Sequence, residues 1–218
     1  MKKIIIFSAL AVLVIAGCTK TRNTVSTTVT RSTPTISFSG GSYYSIPVGG
    51  SLPSISATAY DTFYAQSAPV AIDASTLDNT TPGLYIVSAS STNKYGMTGY
   101  ANVYVAVTNI DPAINLAGKY ARTSNGVVVN VSRLANGLYR TDNVGGVDAS
   151  VATNAPYVIP AVFVQVDDTT IIVPPQVTAQ GNLYGSNAGI IMAPADTAYH
   201  YVVINTAFGP STRTFVKQ

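Results

Sequence analysis

From Pro34 onward the chain breaks into short segments of alternating apolar and polar residues, each closed by a Gly, Pro, Asn or Asp turn. Alternation with period two puts every second side chain on one face of a strand, so this pattern demands sheets rather than helices. Thr35-Ile36-Ser37-Phe38-Ser39 alternates and Gly40-Gly41 turns it. Tyr43 to Val48, Ile55 to Tyr60, Val70-Ala71-Ile72 and Leu84 to Ser90 follow, with Thr81-Pro82-Gly83 as the strongest turn signal between them. Gly99 to Thr108 is the cleanest case: Ala101, Val103, Val105 and Val107 share one face, Tyr100, Asn102, Tyr104 and Thr108 the other. Composition agrees. All nine acids are Asp, there is no Glu and no Trp, and with only six Lys the chain lacks the usual formers of helix surfaces. Thr, Val, Ile and Tyr suit strands instead. The hydrophobic share of 47% is enough for a core, which excludes wholesale disorder.

Residues 1–17 read differently. Lys2 and Lys3 precede thirteen apolar positions, Ile4 to Ala16, broken only by Ser8. That run is short of the roughly 20 residues a spanning helix needs and fits the apolar part of a secretory signal. Ile15-Ala16-Gly17-Cys18 then resembles the lipobox of bacterial lipoproteins, which implies cleavage between Gly17 and Cys18 and lipidation of Cys18. Cys18 is the only cysteine, so no disulfide framework is available and the fold rests on apolar burial alone. Losing residues 1–17 leaves ten basic against nine acidic groups, which removes any case for a nucleic-acid partner. Residues 18–33, polar and Thr-rich, read as a flexible tether; its Lys20, Arg22 and Arg31 are solvated cations that also suit anionic headgroups. The expected partner is therefore a lipid bilayer, reached through acylated Cys18. Thr19, which is not Asp, points by analogy to the outer membrane, and whether the protein faces the surface or the periplasm stays open.

The run Asp78-Asn79-Thr80-Thr81-Pro82-Gly83-Leu84-Tyr85-Ile86-Val87, then Thr92-Asn93-Lys94-Tyr95-Gly96, then Ala101-Asn102-Val103-Tyr104-Val105, resembles the bacterial surface Ig-like domains. The likeness spans roughly residues 34–109 and departs from the common pattern at Leu52 to Asp61. It implies an N-terminal Ig-like β-sandwich. Asn109-Ile110-Asp111-Pro112 reads as a linker. Beyond it, residues 113–218 carry about eight further strands: Gly118-Lys119-Tyr120, Val127 to Leu134, a hairpin at Asn136-Gly137, Leu138 to Arg140, Val158–Val166, Thr170–Val177, Leu183–Met192, Tyr199–Thr206 and Thr212–Lys217. A second antiparallel β-domain, barrel-like or sandwich, is expected, so the fold class is all-β. Leu116-Ala117-Gly118-Lys119-Tyr120 and Val129 to Arg140, followed by Val144-Gly145-Gly146, look like the C-terminal β-domain that follows an Ig-like domain in many Bacteroidota lipoproteins of unknown function. That likeness implies glycan handling linked to polysaccharide uptake.

Chemistry is sparse. A glycosidase needs two carboxylates, one of them with a raised pKa; Asp142 and Asp148, flanking Gly145-Gly146, are the pair to consider, and turn Asp residues more often serve local hydrogen bonding. The single histidine, His200, has no nucleophile motif to serve. One His and one lipidated Cys do not make a zinc site, and Asp61, Asn109 and Asp111 form no calcium-loop spacing. No catalytic residue, metal or cofactor is assigned. The recognition candidates are aromatic: Tyr43, Tyr44, Tyr100, Tyr104, Tyr199 and Tyr201, because tyrosine joins a flat apolar face to a hydroxyl. The sequence therefore reads as an envelope lipoprotein with a binding or structural role and a glycan or envelope-protein partner. An adhesin or assembly subunit is the alternative, and a glycan hydrolase a third.

Overall fold

A computed structural model describes residues 32–192 and 197–218. Gly17, Cys18 and nearly all of the tether lie outside the described residues. The fold is nearly all β, 52% strand and 3% helix.

The first seven strands are β1 (Thr35–Phe38), β2 (Tyr43–Ile46), β3 (Ala57–Asp61), β4 (Gln66–Ala68), β5 (Val70–Asp73), β6 (Gly83–Thr92) and β7 (Thr98–Val107). They form two sheets, ordered β1-β3-β4 and β2-β7-β6-β5, with β2 parallel to β7 and every other pair antiparallel. Ile46, Val87, Val103, Val105 and Val107 fill the space between them, flanked by Phe38, Tyr44 and Leu52. This is the sandwich expected of an Ig-like module, with inward residues alternating along each strand. β4, three residues long, carries no periodic signal and is absent from the sequence reading.

The remaining strands are β8 (Gly118–Arg122), β9 (Val128–Ala135), β10 (Leu138–Thr141), β11 (Ala161–Gln165), β12 (Ile171–Ile172), β13 (Gln176–Thr178), β14 (Gly181–Met192), β15 (Thr197–Ile204) and β16 (Thr212–Lys217), with a 3₁₀ turn over Ala152–Tyr157. They make one nine-stranded antiparallel sheet in the order β12-β11-β10-β9-β8-β16-β15-β14-β13. The expected strand Thr170–Val177 is split into β12 and β13, because Pro174 and Pro175 supply no N–H to a ladder. The sheet curls until its ends meet: the Gly185 amide donates to the Val173 carbonyl at 2.9 Å, and Ile190 to Thr169 at 2.7 Å. A bulge between Ser186 and Gly189, with Asn187 at φ 47°, bends β14 for this closure. The result is a barrel-like domain whose interior is filled with side chains. Tyr120, Tyr139, Phe163, Tyr199, Tyr201 and Phe215 are all fully buried there, ring centres 4.8 to 5.7 Å apart.

Sandwich and barrel share a third, smaller cluster. Ala106 of β7, Leu138 of β10 and Val164 of β11 are buried together, bordered by Tyr43, Leu84, Tyr104, Leu134 and Val162. Residues 109–112, read as a linker, are gripped rather than loose. The Thr108 hydroxyl donates to the Gln165 carbonyl at 2.9 Å, Asn136 donates to the Ile110 carbonyl at 3.0 Å, and Arg133 to Pro112 at 3.1 Å. Gly137, at φ 67°, lies so close that an added Cβ would stand 2.8 Å from Thr108 Cγ2 and 2.9 Å from the Gln165 carbonyl.

Candidate functional site

The six tyrosines singled out in the sequence fall into three groups. Tyr199 and Tyr201 point into the barrel and are fully buried, so neither presents a surface; this corrects their reading as ligand contacts. Strand β15 shows why. Its Tyr199, Tyr201 and Val203 are the inward set of a period-two strand, so the two rings are the core of a module with no Trp. The Tyr201 hydroxyl donates to the Val144 carbonyl at 3.0 Å, and burial pushes both phenols above their ordinary range. Tyr44 is also turned inward, against the sandwich core. Tyr43, Tyr104 and Tyr100 stay on the outer side of the β2-β7-β6-β5 sheet.

There β7 is split along its length. Tyr43 and Tyr104 stack with centroids 5.7 Å apart and border the cluster shared with the barrel. Tyr100, four residues before Tyr104, lies past the barrel's reach and is 77% exposed. Asn102 stands between them. Facing Asn102 and Tyr104 across a cleft of about 570 Å³ are Gln176, Val177, Asn182 and Tyr184 of the barrel. Gln176 is structural: its amide donates to the Val162 carbonyl and its oxygen accepts from the Val162 amide, each at 2.9 Å, so the side chain acts as an extra rung beside β11. Asn102, Asn182 and the 44%-exposed Tyr184 have no side-chain partner among the described residues.

This cleft continues. Tyr104 and Gln176 also wall a neighbouring hollow of about 230 Å³ that reaches Tyr43 and Arg140. Arg140 and Pro160 wall the next, about 380 Å³, beside Ser132 and Asp142. Asp142 then borders the last, about 510 Å³, together with Asp148. Four hollows joined by shared walls make one groove along the side of the molecule. Arg140, exposed at its middle, has no hydrogen-bond partner among the described residues.

Asp142 and Asp148 do share one hollow, as their spacing about Gly145-Gly146 suggested. Both are engaged. Asp142 accepts from the Asn130 amide at 2.9 Å and its side chain at 2.6 Å; Asp148 accepts from the Ser150 amide at 2.9 Å and hydroxyl at 2.7 Å. The Ser150 bonds hold the Asp148 carboxyl below its ordinary range, the opposite of what a proton donor needs. Asp61, Asn109 and Asp111 do not converge. Asp61 is buried beneath four donors, Asn109 accepts from the Val48 amide, and Asp111 from the Ala113 amide. His200 is on the outer face of β15 against Gly189.

Tyr184 and Arg140 were missed in the sequence. Each had a signal: Tyr184 alternates with buried Leu183, and Arg140 with buried Tyr139, so both point away from the barrel core. That their strands meet one sheet of the sandwich is a fact of tertiary structure.

No protein-family model matches the chain, and no curated protein matches it. Among solved structures, the crystal structure of a lipoprotein from Bacteroides thetaiotaomicron is a structural neighbour at 17% identity and a TM-score of 0.38, over 85% of this chain and 100% of that one. No helix among the described residues is long and apolar enough to cross a membrane.

Proposed function

We propose that this protein is a non-catalytic envelope lipoprotein, held at the outer membrane by acylated Cys18, that binds an extended glycan along the groove between its two β-modules. One observation carries the reading: four hollows joined by shared walls, with tyrosine faces at Tyr43, Tyr104 and Tyr184 and uncommitted polar groups at Asn102, Asn182 and Arg140. Sugar rings stack on tyrosine and their hydroxyls suit amides, and a polymer fits a long open channel better than an enclosed pocket. The filled barrel interior points the same way, because it leaves recognition to the outer surface.

Affinity electrophoresis of the mature chain through a panel of soluble polysaccharides tests this. Tyr184→Ala, exposed and expected to fold, should weaken retardation about two- to tenfold, and Tyr100→Ala, outside the groove, should leave it unchanged. The polysaccharide should keep its length, since Asp142 and Asp148 are both held by local hydrogen bonds. Absence of retardation on every polysaccharide would leave the protein a spacer. An adhesin or assembly role draws on the outer edge of β13, whose Val177 is the most exposed large apolar side chain among the described residues. Concentration-dependent oligomers abolished by Val177→Lys would favour it.

A further inference from the structure

The sandwich end where the described chain begins is built unlike the rest of its surface. Two turns meet there, Asp61–Gln66 between β3 and β4 and Asn93–Thr98 between β6 and β7. Buried Asp61 ties them together. Its Oδ1 accepts from the Ser32 hydroxyl at 2.7 Å and from the amides of Phe63 and Tyr64 at 3.1 and 3.2 Å, and its Oδ2 accepts from Asn93 at 2.8 Å. Asn93 in turn accepts from the amides of Tyr95 and Met97, both at 3.0 Å, and donates to the Ser32 carbonyl at 3.1 Å. Ala65 is held at φ 49°, a left-handed conformation that a non-glycine residue adopts only when its surroundings impose it.

This rigid frame turns aromatic rings outward. Phe63 is 64% and Tyr95 53% exposed, and both touch Tyr64, with centroids 4.9 and 4.3 Å away. Lys94 lies 5.0 Å from the Tyr95 ring. Among the described residues of these two turns the one carboxylate is Asp61, and it is buried. Three joined rings with a cation and no exposed acid are neither a core nor a scatter of single surface residues.

We propose that this tip rests in the headgroup layer of the membrane that carries the lipid anchor. The inference stands on the reading of Cys18 as acylated. Ser32, hydrogen-bonded into the tip, follows Cys18 by only fourteen positions in a polar stretch that bears Lys20, Arg22 and Arg31. The aromatic end is thus the end from which the tether departs; the barrel is joined through Val107 and Thr108, at the opposite end of β7. Phenyl and phenol rings settle at the boundary between headgroups and acyl chains, and lysine beside them is drawn to anionic lipid. Docking would stand the sandwich on the bilayer and set the groove at a fixed height above it.

The absence of Trp provides a clean reporter. Phe63→Trp and, as a control on the barrel, Val177→Trp are placed singly in the acylated mature protein in vesicles of phosphatidylethanolamine and phosphatidylglycerol. Phe63→Trp should shift its emission to the blue and be quenched by brominated lipid, while Val177→Trp should do neither. In a second arm, the unacylated Cys18→Ser chain should partition onto the same vesicles about tenfold more strongly than its Phe63→Ser/Tyr95→Ser derivative. Identical behaviour of the two reporters, or unchanged partitioning of the double variant, overturns the proposal. So does a blue shift that grows with protein concentration in the absence of vesicles, which would assign the patch to a second copy. Mass spectrometry of Cys18 separates the two readings: acylated Cys18 with silent reporters rejects the docking alone, and an unmodified thiol rejects the anchor while the second arm still reports on the tip.

Discussion

The tyrosines show how little residue type says about role. Identical side chains become barrel core at Tyr199, half-covered groove wall at Tyr104 and free surface at Tyr100, according to what the strand faces. Burial of phenols is tolerable where a carbonyl accepts the hydroxyl, as Leu116 does for Tyr120 at 2.7 Å and Val144 for Tyr201. Tyr201→Phe should therefore cost about 1 kcal/mol, read from denaturant midpoints. Gln165 is the contrary case. It is fully buried at the end of β11, and neither its amide nitrogen nor its oxygen has a partner among the described residues. Gln165→Met, similar in volume and without the desolvated amide, should raise stability by about 1–3 kcal/mol in the same measurement. Nothing in the sequence marked Gln165, because the missing partners are visible only once the neighbours are in place.

Among elements, β7 shows both what alternation settles and what it leaves open. Its inward set, Val103, Val105 and Val107, fills the sandwich as the alternation implies. Its outward face is not uniform: Tyr100 is exposed while Ala106 and Thr108 are buried, because the barrel lands on this face at one end. The hairpin of β9 and β10 does the landing. Asn136-Gly137 was legible as a turn, and its further task of gripping Thr108 and Ile110 was not, since that depends on contacts far along the chain. Gly137→Ala adds a Cβ against both while keeping a strained φ, and should cost about 1–3 kcal/mol. Calorimetry of the variant should show two transitions, and of the parent chain one, as sandwich and barrel uncouple.

For the whole molecule, the titrating groups bracket the range of stability. The carboxyls of Asp61, Asp73, Asp78, Asp148 and Asp167 all lie below their ordinary value, Asp78 at about 2 through bonds from Thr80 and Thr81. A lowered folded pKa means stability that is complete above 3.8 and lost as pH falls through the folded values. The phenols of Tyr120, Tyr199 and Tyr201 are raised, chiefly by burial, so their contribution is complete below 10.0 and lost as pH climbs beyond it. Melting temperature against pH should be flat between these limits, with phenolate absorbance appearing on the alkaline side together with unfolding. The sequence by itself determined the strand content, most strand positions, the turns and the motif for the lipid anchor. All of these are local: period two, proline and glycine geometry, and a short signal each act over a few residues. Tertiary structure alone decided that the barrel closes, that Tyr199 and Tyr201 are core, that a groove opens between the modules and that Phe63 meets Tyr95 at the tip. A strand has two equivalent faces until something covers one of them, and what covers it comes from tens of residues away.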